Sequence, residues 1–286
     1  MLVAVRENSG GALERWLSQS KTHQQQEGAM DNSNWVLSTR NQSILELVIN
    51  RPERKNALNL AMYQELADQL QQAAGDSAVR VVVITGAGGC FTSGNDLEDF
   101  ARGTNLDPAN SPITRFMMAL LDFPKPVIAA VDGLAIGIGT TLLLHCDLAY
   151  ASPSSQFRMP FAQLGLCPEY ASSLLVPRLA GHLKASEWLL LGKAFSAAEA
   201  ERAGMINQAV DDPLQVARAS AAQLVAMAPA ALRATKALLR APLREQTRKI
   251  LDEEVRIFGE RLRGPEFAEA VAAFFAKRTP DFSKFE

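Results

Sequence analysis

The stretch Val81-Val82-Val83-Ile84-Thr85-Gly86-Ala87-Gly88-Gly89, matched further on by Pro126-Val127-Ile128-Ala129-Ala130-Val131-Asp132-Gly133, decides the fold class. Each opens as an apolar run without polar alternation, the pattern of a strand covered on both faces, and breaks into a glycine turn. Between them the pattern becomes helical. Asn59 stands where an N-cap would open a helix to about Ala74, with Met62, Leu66 and Leu70 on one stripe and Gly75 as its stop. Earlier, Trp35-Val36-Leu37 and Ile44-Leu45-Glu46-Leu47-Val48-Ile49 read as extended segments ended by Pro52; later, Leu148-Ala149-Tyr150-Ala151 and Gln156-Phe157-Arg158 add short strands. Strands alternating with helices predict an α/β fold. Beyond Pro177 the spacing predicts helices over Ala185 to Leu191, Ala197 to Ala203, Leu214 to Met227, Pro229 to Leu239 and Leu243 to Leu262.

No linker interrupts residues 35–286, which therefore read as one domain, with an α/β core over 35–195 and a helical section over 196–286. Residues 1–34 are polar, carry Gln24-Gln25-Gln26 and lack periodicity, so a mobile extension is expected there. A net charge of −2 gives no general reason to expect nucleic acid or an anionic membrane as partner. Val127 to Leu144 is apolar, but Asp132, Gly133, Gly137 and Gly139 interrupt it as a strand, turn and helix would, so no membrane span is expected. Cys90, Cys146 and Cys167 form no CxxC pair, and with His23, His145 and His182 they show no metal-ligand spacing. Neither a disulfide framework nor a metal is expected. The N-terminal charges mix signs, and Lys284-Phe285-Glu286 does not match a Ser-Lys-Leu address, so a cytoplasmic setting is expected.

The glycine turns invite a dinucleotide reading, which fails on spacing. From Gly86 the third glycine of GxGxxG would fall on Phe91, and from Gly137 on Leu142; neither GxxxxGK[ST] nor GxSxG occurs. The turns instead offer uncrowded backbone N–H groups. Phe91-Thr92-Ser93-Gly94-Asn95-Asp96-Leu97 follows one buried strand, and Gly137-Ile138-Gly139 follows another and opens a helix. Two such amides aimed at one point would make an oxyanion hole, although glycines of this kind also serve close packing alone.

Together, Phe91 to Leu97, Asp132-Gly133-Leu134-Ala135-Ile136-Gly137-Ile138-Gly139, Cys146-Asp147, Pro160-Phe161 with Leu164-Gly165-Leu166, and Lys277-Arg278-Thr279-Pro280 resemble the crotonase (enoyl-CoA hydratase/isomerase) superfamily. The resemblance runs from about Trp35 to the C-terminus. It implies a spiral of ββα units with a C-terminal helical section that assembles a homotrimer or hexamer, an acyl-CoA thioester as substrate, and no cofactor beyond the CoA it carries. The family's oxyanion donors match the backbone N–H groups of Asn95 and Ile138. CoA and substrate contacts are implied at Arg54, Lys55, Ala57, Ser93, Gly94, Asn95, Asp96, Leu97, Gly137 and Phe161, with Arg51 nearby and Lys277 as a further phosphate contact. Asp96, Asp132 and Asp147 are expected to hold turns or caps rather than to catalyse.

The hydratases of this family use two glutamates, and the matching positions here are Thr141 and Phe161, which cannot serve as general acid or base at neutral pH. Glu169, in Cys167-Pro168-Glu169-Tyr170, instead resembles the single catalytic glutamate of the peroxisomal-type Δ3,Δ2-enoyl-CoA isomerases. That subgroup implies proton transfer from C2 to C4 of a 3-enoyl-CoA in fatty-acid β-oxidation. An apolar wall of Phe161, Leu164 and Leu166 is expected to raise the basicity of Glu169. A hydratase, hydrolase or lyase that activates water through Glu169, and a non-catalytic CoA-binding protein, remain the alternatives.

Overall fold

Leu45, Leu47 and Ile49 are buried at every second position of β2 (Ile44–Ile49), whereas β3 (Val81–Gly86) is buried residue after residue through Thr85. Their places in the sheet explain the difference. The computed structural model describes residues 34–98 and 111–285; the extension expected over 1–34 lies outside the described residues except for Asn34. The main sheet runs β1 (Val36–Asn41), β2, β3, β4 (Val127–Val131), β6 (Leu148–Ala151), β9 (Gln208–Ala209), parallel throughout except for the β1–β2 pair. On one face Val82, Ile84, Val127 and Ala129 join the principal core with Met62, Leu66 and Leu70 of α1 (Leu60–Gly75). On the other, Val81, Val83, Ile128 and Ala130 meet Ala217 and Ala221 of a later helix, Pro213–Ala226. The unbroken apolar run thus follows from two packed faces. At the start of α1 the Asn59 side chain accepts the Met62 N–H at 2.9 Å, the cap expected there.

A smaller sheet, β5 (Leu134–Ile136), β7 (Gln156–Arg158) and β8 (Phe195–Ser196), stands beside the first. Between the strands lie α2 (Pro112–Leu121), which packs on α1, and the single turn α3 (Ile138–Thr141). The chain then becomes helical: α4 (Ser172–Ala180), α5 (His182–Leu189), α6 (Ala197–Arg202), α7 (Pro213–Ala226), α8 (Pro229–Leu262) and α9 (Pro265–Phe275). This is the mixed α/β fold with a helical C-terminal part that the resemblance implies. No described helix is long and apolar enough to cross a membrane.

Two helices expected on either side of Pro242 are one helix of 34 residues. Proline removes the partner of the carbonyl four residues earlier and crowds it, and that residue, Leu238, is 73% exposed, on a face where the carbonyl can turn towards solvent. The first half of α8 is held to the core by buried charge. The Lys236 ammonium donates to Asp147 Oδ2 at 2.7 Å and to the Lys125 carbonyl at 2.5 Å, while Arg240 reaches Asp147 Oδ1 at 3.1 Å. Burial pushes Lys236 down to about 8, against the attraction of Asp147. Asp147 also accepts the Val127 N–H at 2.7 Å, which fixes the structural role expected for it. Asp147→Ala would strand the Lys236 charge, and urea unfolding should show a loss of about 3–5 kcal/mol. A loss below about 1 kcal/mol would mean that solvent reaches the ammonium.

Candidate active site

Two backbone turns meet at the wall of a cleft of about 530 Å³. The first, Thr92 to Asp96, leaves β3 and is pinned from both sides. Thr92 N–H donates to the Leu134 carbonyl at 2.9 Å and Ile136 N–H to that of Thr92 at 3.1 Å; Leu58 N–H donates to Gly94 at 2.8 Å and Asp96 N–H to Leu58 at 2.9 Å. This parallel bridging turns the Asn95 N–H away from Leu58. The second turn opens α3, so the Ile138 N–H precedes the first intrahelical bond. Neither N–H meets an acceptor among the described residues.

Missing side chains let the turns approach. Gly94 has φ +93°, and a Cβ there would lie 2.8 Å from the Ile136 carbonyl oxygen; a Cβ on Gly139 would lie 2.6 Å from Thr92 Cγ2. Glycine is the residue that tolerates both demands. Behind the first turn the buried Tyr63 hydroxyl donates to Asn95 Oδ1 at 2.5 Å and fixes that side chain. The Arg51 guanidinium pairs with Asp96 Oδ2 at 2.6 Å, donates to the Ala57 carbonyl at 3.2 Å and stacks over Trp35. Arg51 therefore ties the cleft loops to one another, and Asp96 has the structural partner expected for it. Arg54, half-exposed, and Lys55 remain at the rim.

Of the contacts expected from the sequence, Arg54, Lys55, Ala57, Ser93, Gly94, Asn95, Asp96, Leu97, Gly137 and Phe161 all line this cleft. Lys277 does not; it is exposed beyond the end of α9. The Ile138 side chain is fully buried behind the wall, leaving its main chain as the group that can act.

Glu169 lies in an adjoining cavity of about 60 Å³, lined also by Ile113, Met117, Val255, Phe258 and Leu262. Phe258 lines both spaces and packs edge-on to Phe161. The apolar wall is thus built from α2 and α8, while Phe161, Leu164 and Leu166 line the cleft instead. Glu169 is 4% exposed, and burial, then the negative charge of Glu254, push its carboxyl up to about 8; a bond from Thr141 Oγ1 at 3.4 Å pulls the other way. A carboxylate in such surroundings is a far stronger base than one in water. Thr141, which the resemblance places where the hydratases carry a glutamate, therefore touches the only carboxylate among the described residues that line this cavity. Phe258 and Glu254 carried no local signal: both sit on a helix remote in sequence, and Glu254 follows Asp252-Glu253 in what reads as a solvated face.

Paired free amides on glycine turns beside a buried carboxyl, carried on this sheet and helix arrangement, define a crotonase-fold protein. The family model for "Enoyl-CoA hydratase/isomerase" matches residues 39–284, and the chain belongs to that family. It is 35% identical to the 1,2-epoxyphenylacetyl-CoA isomerase of Escherichia coli over 87% of this chain and 98% of that protein. Enoyl-CoA delta isomerase 2 of Rattus norvegicus is 32% identical over 96% and 73%. The 2,3-dehydroadipyl-CoA hydratase of E. coli is 33% identical over 86% and 98%, so isomerases and hydratases stand at similar distance. Among solved structures, Pseudomonas aeruginosa OdaA superposes with a TM-score of 0.82 at 48% identity, covering 84% of this chain and 98% of its own.

Proposed function

We propose that the protein converts 3-enoyl-CoA to 2-enoyl-CoA, with Glu169 taking a proton from C2 and returning one to C4. The observation that carries this reading is Glu169, the one carboxyl among the described residues that lines the apolar cavity beside the cleft; Thr141 and Phe161, by resemblance, stand where two-carboxylate hydration needs acids. Loss of the C2 proton makes a dienolate whose charge gathers on the thioester oxygen. The Asn95 and Ile138 N–H groups stabilise it there, each by about 3–4 kcal/mol. C2 and C4 lie close enough along the chain for one carboxylate to serve both, and the apolar lining disfavours water as a competing acceptor. Glu254 does not restore the hydratase pair: its two oxygens accept the N–H groups of Ala171 and Ser173, and it lines neither space.

The CoA moiety is assigned to the cleft, with Arg54 and Lys55 at its rim meeting phosphate. No cofactor beyond CoA is proposed. Assembly as a homotrimer or hexamer is proposed as well, supported by exposed leucines such as Leu183, Leu190 and Leu191. A cytoplasmic role in β-oxidation of unsaturated acyl chains completes the reading.

The test is purified protein with 3-enoyl-CoA and 2-enoyl-CoA of several chain lengths. The conjugated thioester is expected from the first, and 3-hydroxyacyl-CoA from neither; hydration without isomerisation would replace the proposal with a hydratase. The base must be ionised to act, and it is raised to about 8. Hence kcat/KM should climb about tenfold per unit from pH 6 towards 8 and level off above it. A limb lying near pH 4 to 5 would assign the base to a solvated carboxylate.

A further inference from the structure

The turn that carries Glu169 is strained. Tyr170 and Ala171 are consecutive non-glycine residues in the left-handed region, at φ +58° and +57°. Such a pair persists only where its surroundings hold it. Tyr170 is held by its hydroxyl, which donates to the Met117 carbonyl at 2.8 Å, and by His145, which stacks on its ring at 3.7 Å and donates from Nε2 to its carbonyl at 2.8 Å. Ala171 has no side chain for the purpose, and α4 starts at the next residue without a side-chain cap of its own.

That cap comes from α8. Glu254, 5% exposed, accepts the Ala171 N–H at 2.5 Å on one carboxylate oxygen and the Ser173 N–H at 3.0 Å on the other. One turn further along the same helix, Phe258 lines both the cleft and the cavity that holds Glu169. We infer that Glu254 is a positioning residue for Glu169: it locks the strained Tyr170-Ala171 turn that presents the Glu169 carboxylate to the cavity, and it keeps a fixed negative charge beside that carboxylate. The inference rests on Glu169 as the base of the proposed isomerisation.

Two carboxyl groups in one buried region separate their roles by their surroundings. Burial raises Glu254 too and outweighs the rest, but the Ser173 side chain and the Ser173 and Ala171 N–H groups, at the positive end of α4, oppose it and favour the ionised form. Among the described residues Glu169 has only the longer Thr141 bond. The other titratable groups that act on or feel Glu169 are Tyr63 on α1, Tyr170 in the turn and Cys167 before it; burial raises all three, Cys167 to about 11, so all are neutral at working pH. With two N–H donors on Glu254 against one long bond on Glu169, Glu254 is the carboxyl better held in its ionised form, and its charge disfavours charge on Glu169.

The test follows the Glu169 carboxyl directly by 13C NMR, its signal assigned by its loss in Glu169→Gln. Glu254→Gln keeps shape and one acceptor but removes the charge, and the Glu169 midpoint should fall by about one unit or more. The acidic limb of kcat/KM should move with it. Glu254→Asp keeps the charge but draws it back from the turn, and kcat should fall about 10- to 100-fold with KM within twofold. An unmoved midpoint in Glu254→Gln overturns the charge, and unchanged kcat in Glu254→Asp overturns the positioning. Because the NMR titration needs no turnover, a shifted midpoint in a protein with no isomerase activity upholds the coupling and removes the isomerase reading. An unmoved midpoint in an active isomerase does the reverse.

Discussion

Glu169→Gln should lower kcat for 3-enoyl-CoA isomerisation by about 10²- to 10⁴-fold, while binding of a non-reacting acyl-CoA changes less than threefold. The amide fills the same volume and can still receive the Thr141 bond, but it takes up no proton from C2. The cleft assigned to CoA does not include residue 169, so affinity should survive. A kcat within tenfold of wild type would move the base to another residue.

The same substitution has a consequence for stability with a definite sign. The folded protein holds Glu169 protonated up to about 8, above its ordinary value of 4.5. The carboxyl's contribution to stability is therefore complete below about 4.5 and is lost as pH rises through 8, at about 1.4 kcal/mol per unit. Glu169→Gln has no such loss. Its melting temperature should overtake that of the wild type progressively between pH 5 and 8 and hold a constant lead above that. A lead that stays flat across this window would show that the carboxyl is solvated in the folded protein.

Gly94→Ala should be nearly as damaging by a different route. At φ +93° the new Cβ would lie 2.8 Å from the Ile136 carbonyl oxygen, so the backbone must shift. The Asn95 peptide follows directly and carries its N–H off the oxyanion position, a loss of about 10²- to 10³-fold in kcat. Asn95→Ala provides the contrast. It removes the side chain that Tyr63 holds but leaves the main-chain donor in place, so kcat should fall less than tenfold. Equal losses in the two variants would mean that the side chain at 95, not its amide, meets the thioester.

Most of what positions this site was legible in the chain because its signals are local. The apolar runs at 81–84 and 127–131 announce strands packed on both faces, and Gly94, Asn95 and Gly137 belong to turns within a few residues of those strands. The loop from Arg54 to Ala57 reaches the cleft from the next strand of the sheet and was equally readable. What the sequence concealed comes from α8. The helix exposes most of its length and lacks a strong apolar stripe, so Glu254 and Phe258 look like neighbours of the solvated Glu253 and Glu260. Only contact with the 169–173 turn separates them from that background. The raised basicity of Glu169 was expected from residues close in sequence, yet its walls are Ile113, Met117, Val255 and Leu262, which only the packed chain assembles.

The parts of the site become available in a fixed order as the polypeptide is synthesised. Both amide turns and the Glu169 segment leave the ribosome before α8, the source of Glu254 and Phe258. A nascent chain halted before Glu254 carries the two amide turns and Glu169 but none of the α8 residues that line the cavity around that carboxyl. On the proposed function, the surroundings that would raise the basicity of Glu169 are complete only when the last helices dock.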